Sequence, residues 1–140
     1  MNIERAIQIA VEAHAGATDK GGNPYILHPL RVMMSLDTVA EQIAGVLHDV
    51  VEDVPEWTFE RLLDEGFSEE IVDALRAVTK INDDEDYDAF IERVSENPLA
   101  IKVKIADITD NMDVTRLETV DEKAARRLNK YKRAILKLKA

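Results

Sequence analysis

The sequence predicts an all-α fold, a compact single domain over residues 1–140 with roughly seven to nine helices. Three observations carry that expectation. Apolar residues recur at helical spacing almost throughout, and strand-like alternation is nearly absent. Glycine and proline number only five and four, so breakers are few. With 140 residues, 46% of them apolar, the chain is long enough for one core and too apolar to be disordered by composition.

The elements follow in order. Ile3, Ile7, Ala10, Val11 and His14 form one stripe of a first helix, which reads His14 as a core histidine. Gly16 to Pro24 reads as a loop, with Asp19-Lys20-Gly21-Gly22-Asn23-Pro24 as its breakers. His28-Pro29 looks like a helix entry with Pro29 at the first helical position. Thr38-Val39-Ala40-Glu41 is a capping box. It starts a helix that carries Leu47-His48-Asp49-Val50-Val51-Glu52-Asp53 and ends at Pro55. Thr58 and Ser68 can each cap a further helix, the second with Glu69 and Glu70 in its first turn. A helix from Tyr87 to Glu96 follows, and Asn97-Pro98 opens the next, which carries Ala106-Asp107. Thr119-Val120-Asp121-Glu122 is a second capping box. The last helix then repeats Ala124, Leu128, Tyr131, Ile135 and Leu138 at steps of four and three.

The stretch LHDVVED sets four ionisable residues in an apolar run. On a helix turning about 100° per residue, His48, Asp49, Glu52 and Asp53 fall within roughly 140° of arc. Val39, Ile43, Val46, Leu47 and Val50 lie mainly opposite. Gly45 falls on the polar face, and a mid-helix glycine costs ~1 kcal/mol against alanine. Either something bulky approaches there or another helix packs close. Adjacent His48 and Asp49 can offer nitrogen and oxygen to one divalent ion, but leave it short of ligands. The chain has three histidines, at 14, 28 and 48, and the His28 ring can point outwards from its helix entry. Asp107 lies in the largely apolar run IKVKIAD, where an unpaired buried carboxylate would be costly. It is either a further ligand or the partner of Lys102 or Lys104.

Composition narrows the function classes. With no cysteine, disulfides and thiolate metal sites are excluded. No apolar run approaches the ~18 residues of a membrane span. The start, MNIERAIQIAVEAH, alternates charged and apolar residues and does not read as a signal peptide. A soluble, cytoplasmic protein without a membrane partner is expected. The net charge of −10 argues against nucleic acid as a partner. Charge is uneven: residues 121–140 carry eight Lys or Arg against two acidic groups, and residues 83–88 carry five acidic groups and no basic one. Both stretches read first as solvated surface.

These residues also carry a resemblance. His28, His48-Asp49 and Asp107 follow the H…HD…D pattern of the HD superfamily of metal-dependent phosphohydrolases. Ala13-His14, KGGNPYILHPL (20–30), LHDVVED (47–53), KIAD (104–107) and Asn111-Met112 resemble the hydrolase domain of RelA/SpoT-type proteins and the stand-alone small alarmone hydrolases. The resemblance spans essentially the whole chain. It implies a compact all-helical fold with one Mn²⁺ that removes the 3′-pyrophosphate of guanosine tetra- or pentaphosphate, giving GDP or GTP. It implies His28, His48, Asp49 and Asp107 as metal ligands and Glu52 and Asp53 as the pair that handles the attacking water. It implies Lys20, Asn111, Arg127 and Tyr131 as contacts to substrate phosphate or ribose. Phosphate-ester hydrolysis needs a neutralising cation and an activated water, and a divalent ion supplies both. A homo-oligomer is compatible with the family.

The sequence departs from the family on the nucleoside side. Asp19 stands where the family has an arginine that stacks on guanine, Ile108 where an arginine is common, and Asp113-Val114 where Arg-Thr follows Asn-Met. An aspartate cannot stack, but it can accept hydrogen bonds from a base or sugar. Weaker discrimination for guanine is therefore expected. The alternatives are an HD phosphohydrolase acting on another nucleotide or a phosphorylated dinucleotide, and a non-catalytic sensor of nucleotide or metal. The intact Glu52-Asp53 pair argues against the sensor.

Overall fold

In the computed structural model, which describes residues 2–140, the apolar periodicity resolves into nine α-helices and one 3-10 turn among the described residues. They are α1 Ile3–His14, α2 Leu27–Met34, α3 Val39–Leu47, α4 Val50–Asp53, α5 Phe59–Asp64, α6 Glu69–Val78, α7 Tyr87–Val94, α8 Pro98–Asn111, the turn Val114–Arg116, and α9 Glu122–Lys139. Most starts are written in the sequence. Asn2, Thr38, Thr58, Ser68, Asp86, Asn97 and Asp121 each accept a hydrogen bond from the backbone N–H three residues on. Each such cap stabilises its helix by ~1 kcal/mol.

Three local expectations are corrected. Asp121, not Thr119, caps α9, since its carboxylate takes the Ala124 N–H. Pro29 is the third residue of α2, not the first. The first turn of a helix leaves its N–H groups unpaired, so a proline fits at several positions there. Most consequentially, LHDVVED is not one helix. α3 ends at Leu47 and α4 begins at Val50, with the His48 N–H closing on the Gly45 carbonyl at 3.4 Å. The break lets His48 turn inwards, to 3% exposure, while Glu52 and Asp53 stay at the surface.

α3 is the central element and packs against α1, α2, α6 and α8. Ile43, Ala44, Val46 and Leu47 on it are buried with Ile9, Val32, Val72, Leu75, Phe90 and Val103 in one contiguous core. Burying each large apolar side chain contributes about 1.5–3 kcal/mol. Gly45 lies in the α2–α3 seam: a Cβ there would sit 2.7 Å from Leu36 Cδ1 and 3.3 Å from Val32 Cγ1. Close helix packing is thus its reason.

The acidic stretch is partly structural. Glu85 receives Arg93 at 2.9 and 3.1 Å and the Ile81 N–H at 2.9 Å, and Asp86 caps α7. Arg93 also donates to the Arg76, Ala77 and Thr79 carbonyls, closing the end of α6 onto α7. No described helix is long and apolar enough to cross a membrane.

Candidate active site

Three segments far apart in sequence meet over the end of α3. α2 brings His28, the turn after α3 brings His48 and Asp49, and α8 brings Asp107. His28 Nε2 lies 2.9 Å from Asp107 Oδ1 and 3.9 Å from Asp49 Oδ2. His48 Nε2 lies 3.1 Å from Asp49 Oδ2 and 3.3 Å from Asp107 Oδ1. Donor atoms of His28, His48 and Asp49 all fall within 4.8 Å of one another. The four residues picked from the sequence therefore share one cluster.

The donor chemistry suits a cation. His48 Nδ1 faces the Gly45 carbonyl at 2.6 Å, which directs Nε2 inwards, where it is buried without a well-formed hydrogen bond. An orphaned buried nitrogen is costly unless something occupies it. Burial opposes charge on His48, yet Asp49 and Asp107 raise its pKa well above the usual imidazole value. Burial likewise opposes charge on Asp107, but Lys104, His48 and His28 hold its carboxyl well below the usual range. Two nearly buried carboxylates facing two imidazole nitrogens form a donor set that a dication can neutralise. This is the kind of His/Asp cluster that holds a divalent metal.

Asp107 resolves a choice left open by spacing. It takes Lys104 Nζ on Oδ2 at 2.9 Å and still presents Oδ1 to both histidines. It is an ion-pair partner and a cluster member at once. Lys102 is exposed and takes no part. His14 is buried beside Tyr25, ring centroids 4.9 Å apart, and lies outside the cluster.

Three of the four cluster residues, His28, Asp49 and Asp107, line a cavity of about 550 Å³, with His48 buried behind them. Glu52, Asp53, Lys20, Asn111, Arg127 and Tyr131 all line it. Partial desolvation within the cavity, then Asp49, raises the Glu52 carboxyl, and the same desolvation with Asp49 and Glu52 pushes Asp53 up to about 6. Asn111 is less free than the resemblance implies, because its amide donates to Asp107 Oδ1 at 3.2 Å. Asp19 is also engaged: its Oδ1 accepts the Gly21 and Asn23 N–H groups, both at 2.9 Å. It anchors its own loop, and Asp113 similarly receives the Thr115 N–H at 3.0 Å.

Several residues were missed in the sequence. Tyr25 donates to Asp49 Oδ2, and Asp110 lies behind His28. Lys80, Lys104 and Lys130 join Arg127 on the cavity wall. Burial, then Lys80, Lys104 and Arg127, lowers the Lys130 pKa. Of these cations Lys104 is paired with Asp107, and all of them face the same cavity as Glu52 and Asp53. For Tyr25 and Asp110 a signal existed. Tyr25 stands inside the quoted NPYILHP run, and Asp110 follows Asp107 by three, on the same face of α8.

Comparison with known proteins finds relatives for most of the chain. The guanosine-3′,5′-bis(diphosphate) 3′-pyrophosphohydrolase of Aquifex aeolicus is 35% identical over 121 residues, 79% of this chain and 17% of the relative. The one from Haemophilus influenzae is 37% identical over 118 residues, 74% of this chain and 17% of the relative. A probable GTP pyrophosphokinase of Mycobacterium leprae is 31% identical over 134 residues, 87% of this chain and 17% of the relative. The chain thus spans 17% of the length of each. A solved structure described as a metazoan ortholog of SpoT that hydrolyses ppGpp has the same fold, with a TM-score of 0.78 and 21% identity over 97% of this chain and 84% of that one. The HD domain profile matches residues 6–136, so it takes in α2, α3, α4 and α8, and the chain belongs to the HD domain family.

Proposed function

We propose that this chain is a metal-dependent phosphohydrolase that removes pyrophosphate from the 3′ position of guanosine tetra- or pentaphosphate. One observation carries the reading: His28, Asp49 and Asp107, clustered with the buried His48, line a cavity whose wall also gathers Lys80, Lys104, Arg127 and Lys130. A His/Asp set fits the cation, and a cationic wall fits a polyphosphate. Relatives named for the same 3′-pyrophosphohydrolase activity support the substrate class.

The roles follow from position. His28, His48, Asp49 and Asp107 hold one divalent ion, which supplies positive charge and a more acidic water when bound. Manganese rests on the family resemblance alone, because nitrogen and oxygen donors by themselves bind nickel, copper and zinc more tightly. Glu52 and Asp53 lie on the next turn of chain, with carboxyls raised towards neutrality. They accept the proton of the attacking water and return one to the leaving group. Lys20, Lys80, Arg127 and Lys130 neutralise the phosphates, and Tyr131 and Asn111 border the nucleoside.

A second reading, hydrolysis of a different nucleotide, is favoured by one observation. Asp19 spends Oδ1 on its own loop, so no arginine stacks from that position. The test is a panel with Mn²⁺: ppGpp, its adenine counterpart and nucleoside 3′-monophosphates, with separate readouts of pyrophosphate and orthophosphate. Pyrophosphate release fastest from ppGpp supports the proposal. Faster turnover of the adenine compound or of a monophosphate selects the second reading.

A further inference from the structure

We propose that Asp110 is the positioning residue of the metal cluster: its carboxylate holds the His28 ring through Nδ1, so that Nε2 stays presented to a divalent cation. The inference rests on the metal reading above, and Asp110 itself lies outside the proposed ligand set.

The two histidines share one plan. His48 commits Nδ1 to the Gly45 carbonyl at 2.6 Å and turns Nε2 inwards. His28 commits Nδ1 to Asp110 Oδ2 at 2.7 Å and turns Nε2 to Asp107 Oδ1 at 2.9 Å. The acceptors differ. The Gly45 carbonyl is fixed by backbone, whereas Asp110 is a side chain that could rotate away. Arg31 prevents that, with Nε 2.8 Å from Oδ1 and an Nη 3.1 Å from Oδ2. Arg116 adds a contact at 3.6 Å to Oδ1 and donates to the Asp110 carbonyl. The Asp110 side chain is 12% exposed.

The helix geometry makes the arrangement economical. His28 and Arg31 are three apart on α2, and Asp107 and Asp110 are three apart on α8, so each pair shares a face. α8 grips the same ring from both sides, with the inner carboxylate on Nε2 and the outer one on Nδ1. A carboxylate behind a metal-binding imidazole fixes its tautomer and ring angle and strengthens its donor nitrogen. The competing explanation is that Asp110 only pins α8 to α2 through Arg31.

Mn²⁺ binding, read as loss of the free-ion paramagnetic resonance signal at fixed pH, separates the two. The proteins are wild type, Asp110→Ala, Asp110→Asn and Arg31→Gln, with metal-free melting recorded for each. Removing a partner behind a metal ligand lowers affinity about 10–100-fold, and Asp110→Ala is expected in that range. Asp110→Asn, isosteric and still offering an oxygen to the His28 N–H, should recover part of the loss. Arg31→Gln removes the interhelix charge, but its amide N–H can still donate to Asp110 and leave the carboxylate beside His28. It should weaken Mn²⁺ binding less than Asp110→Ala, even where it lowers the melting temperature as much. Equal losses of affinity in Arg31→Gln and Asp110→Ala, tracking melting, overturn the proposal. So does an Asp110→Ala protein that binds like wild type. A wild type that binds no Mn²⁺ overturns the metal reading itself and this inference with it.

Discussion

Replacing Lys104 by methionine tests how the cluster is balanced. Lys104 Nζ lies 2.9 Å from Asp107 Oδ2, with the two side chains 14% and 9% exposed. Methionine keeps the length of the stem and deletes the charge. Removing one partner of a buried ion pair costs about 3–5 kcal/mol, because the other charge is left uncompensated. Asp107 retains His28, His48 and Asn111 on Oδ1, which places the loss at the low end, ~3 kcal/mol. Total stability of such domains is about 5–15 kcal/mol. At this chain length a loss of ~3 kcal/mol lowers Tm by roughly 10 °C. Differential scanning calorimetry in chelator and in excess Mn²⁺ reads the effect. In chelator the variant should melt roughly 10 °C below wild type. With Mn²⁺ the gap should narrow, since the cation replaces the missing charge next to Asp107. A gap of the same size under both conditions, or no gap in chelator, refutes the reasoning.

Glu52→Gln should keep Mn²⁺ affinity near wild type while turnover falls ~10²-fold or more, as loss of a general acid/base does; near-normal turnover removes its water-handling role. Asp53 has a raised folded pKa, about 6, so the folded state holds its proton more tightly than the unfolded state does. That contribution to stability is present below the ordinary carboxylate pKa and is lost as pH rises through about 6. Asp53→Asn should therefore gain stability over wild type between about pH 4 and pH 7 in metal-free melts, and a pH-independent difference contradicts the assignment. Asp19→Arg should lose the two loop hydrogen bonds, worth ~1 kcal/mol each, and so fail to lower KM for ppGpp. A lowered KM would show that the loop tolerates the change and that the missing guanine-stacking arginine was the limiting contact.

The helices were largely legible because their starts are local. Thr38, Thr58, Ser68 and Asn97 each satisfy an N–H three residues away, within reach of any sequence reading. The break at His48-Asp49 was not legible. A turn between α3 and α4 continues the apolar pattern of one helix, so periodicity alone cannot reveal it. The inner cluster was legible because metal donors come from few residue types. Its outer contacts depend on packing between distant segments. His28 and Asp110 are 82 residues apart, and Arg31 and Asp110 are 79 apart. Only part of the cationic wall was legible, Lys20 and, on the basic last helix, Arg127, for a related reason. Lys80 follows α6, Lys104 lies on α8 and Lys130 on α9, and only the fold gathers them around one cavity.

The central claim is that one divalent ion held by this cluster drives release of pyrophosphate from the 3′ position. Protein stripped with chelator and titrated with Mn²⁺ in the presence of ppGpp tests it, with GDP, pyrophosphate and orthophosphate followed separately. Expected is pyrophosphate in step with GDP, rising until one ion per chain is bound, and none from His48→Ala at any Mn²⁺ level within that range. Orthophosphate as the product, or undiminished turnover in the stripped protein, would contradict it.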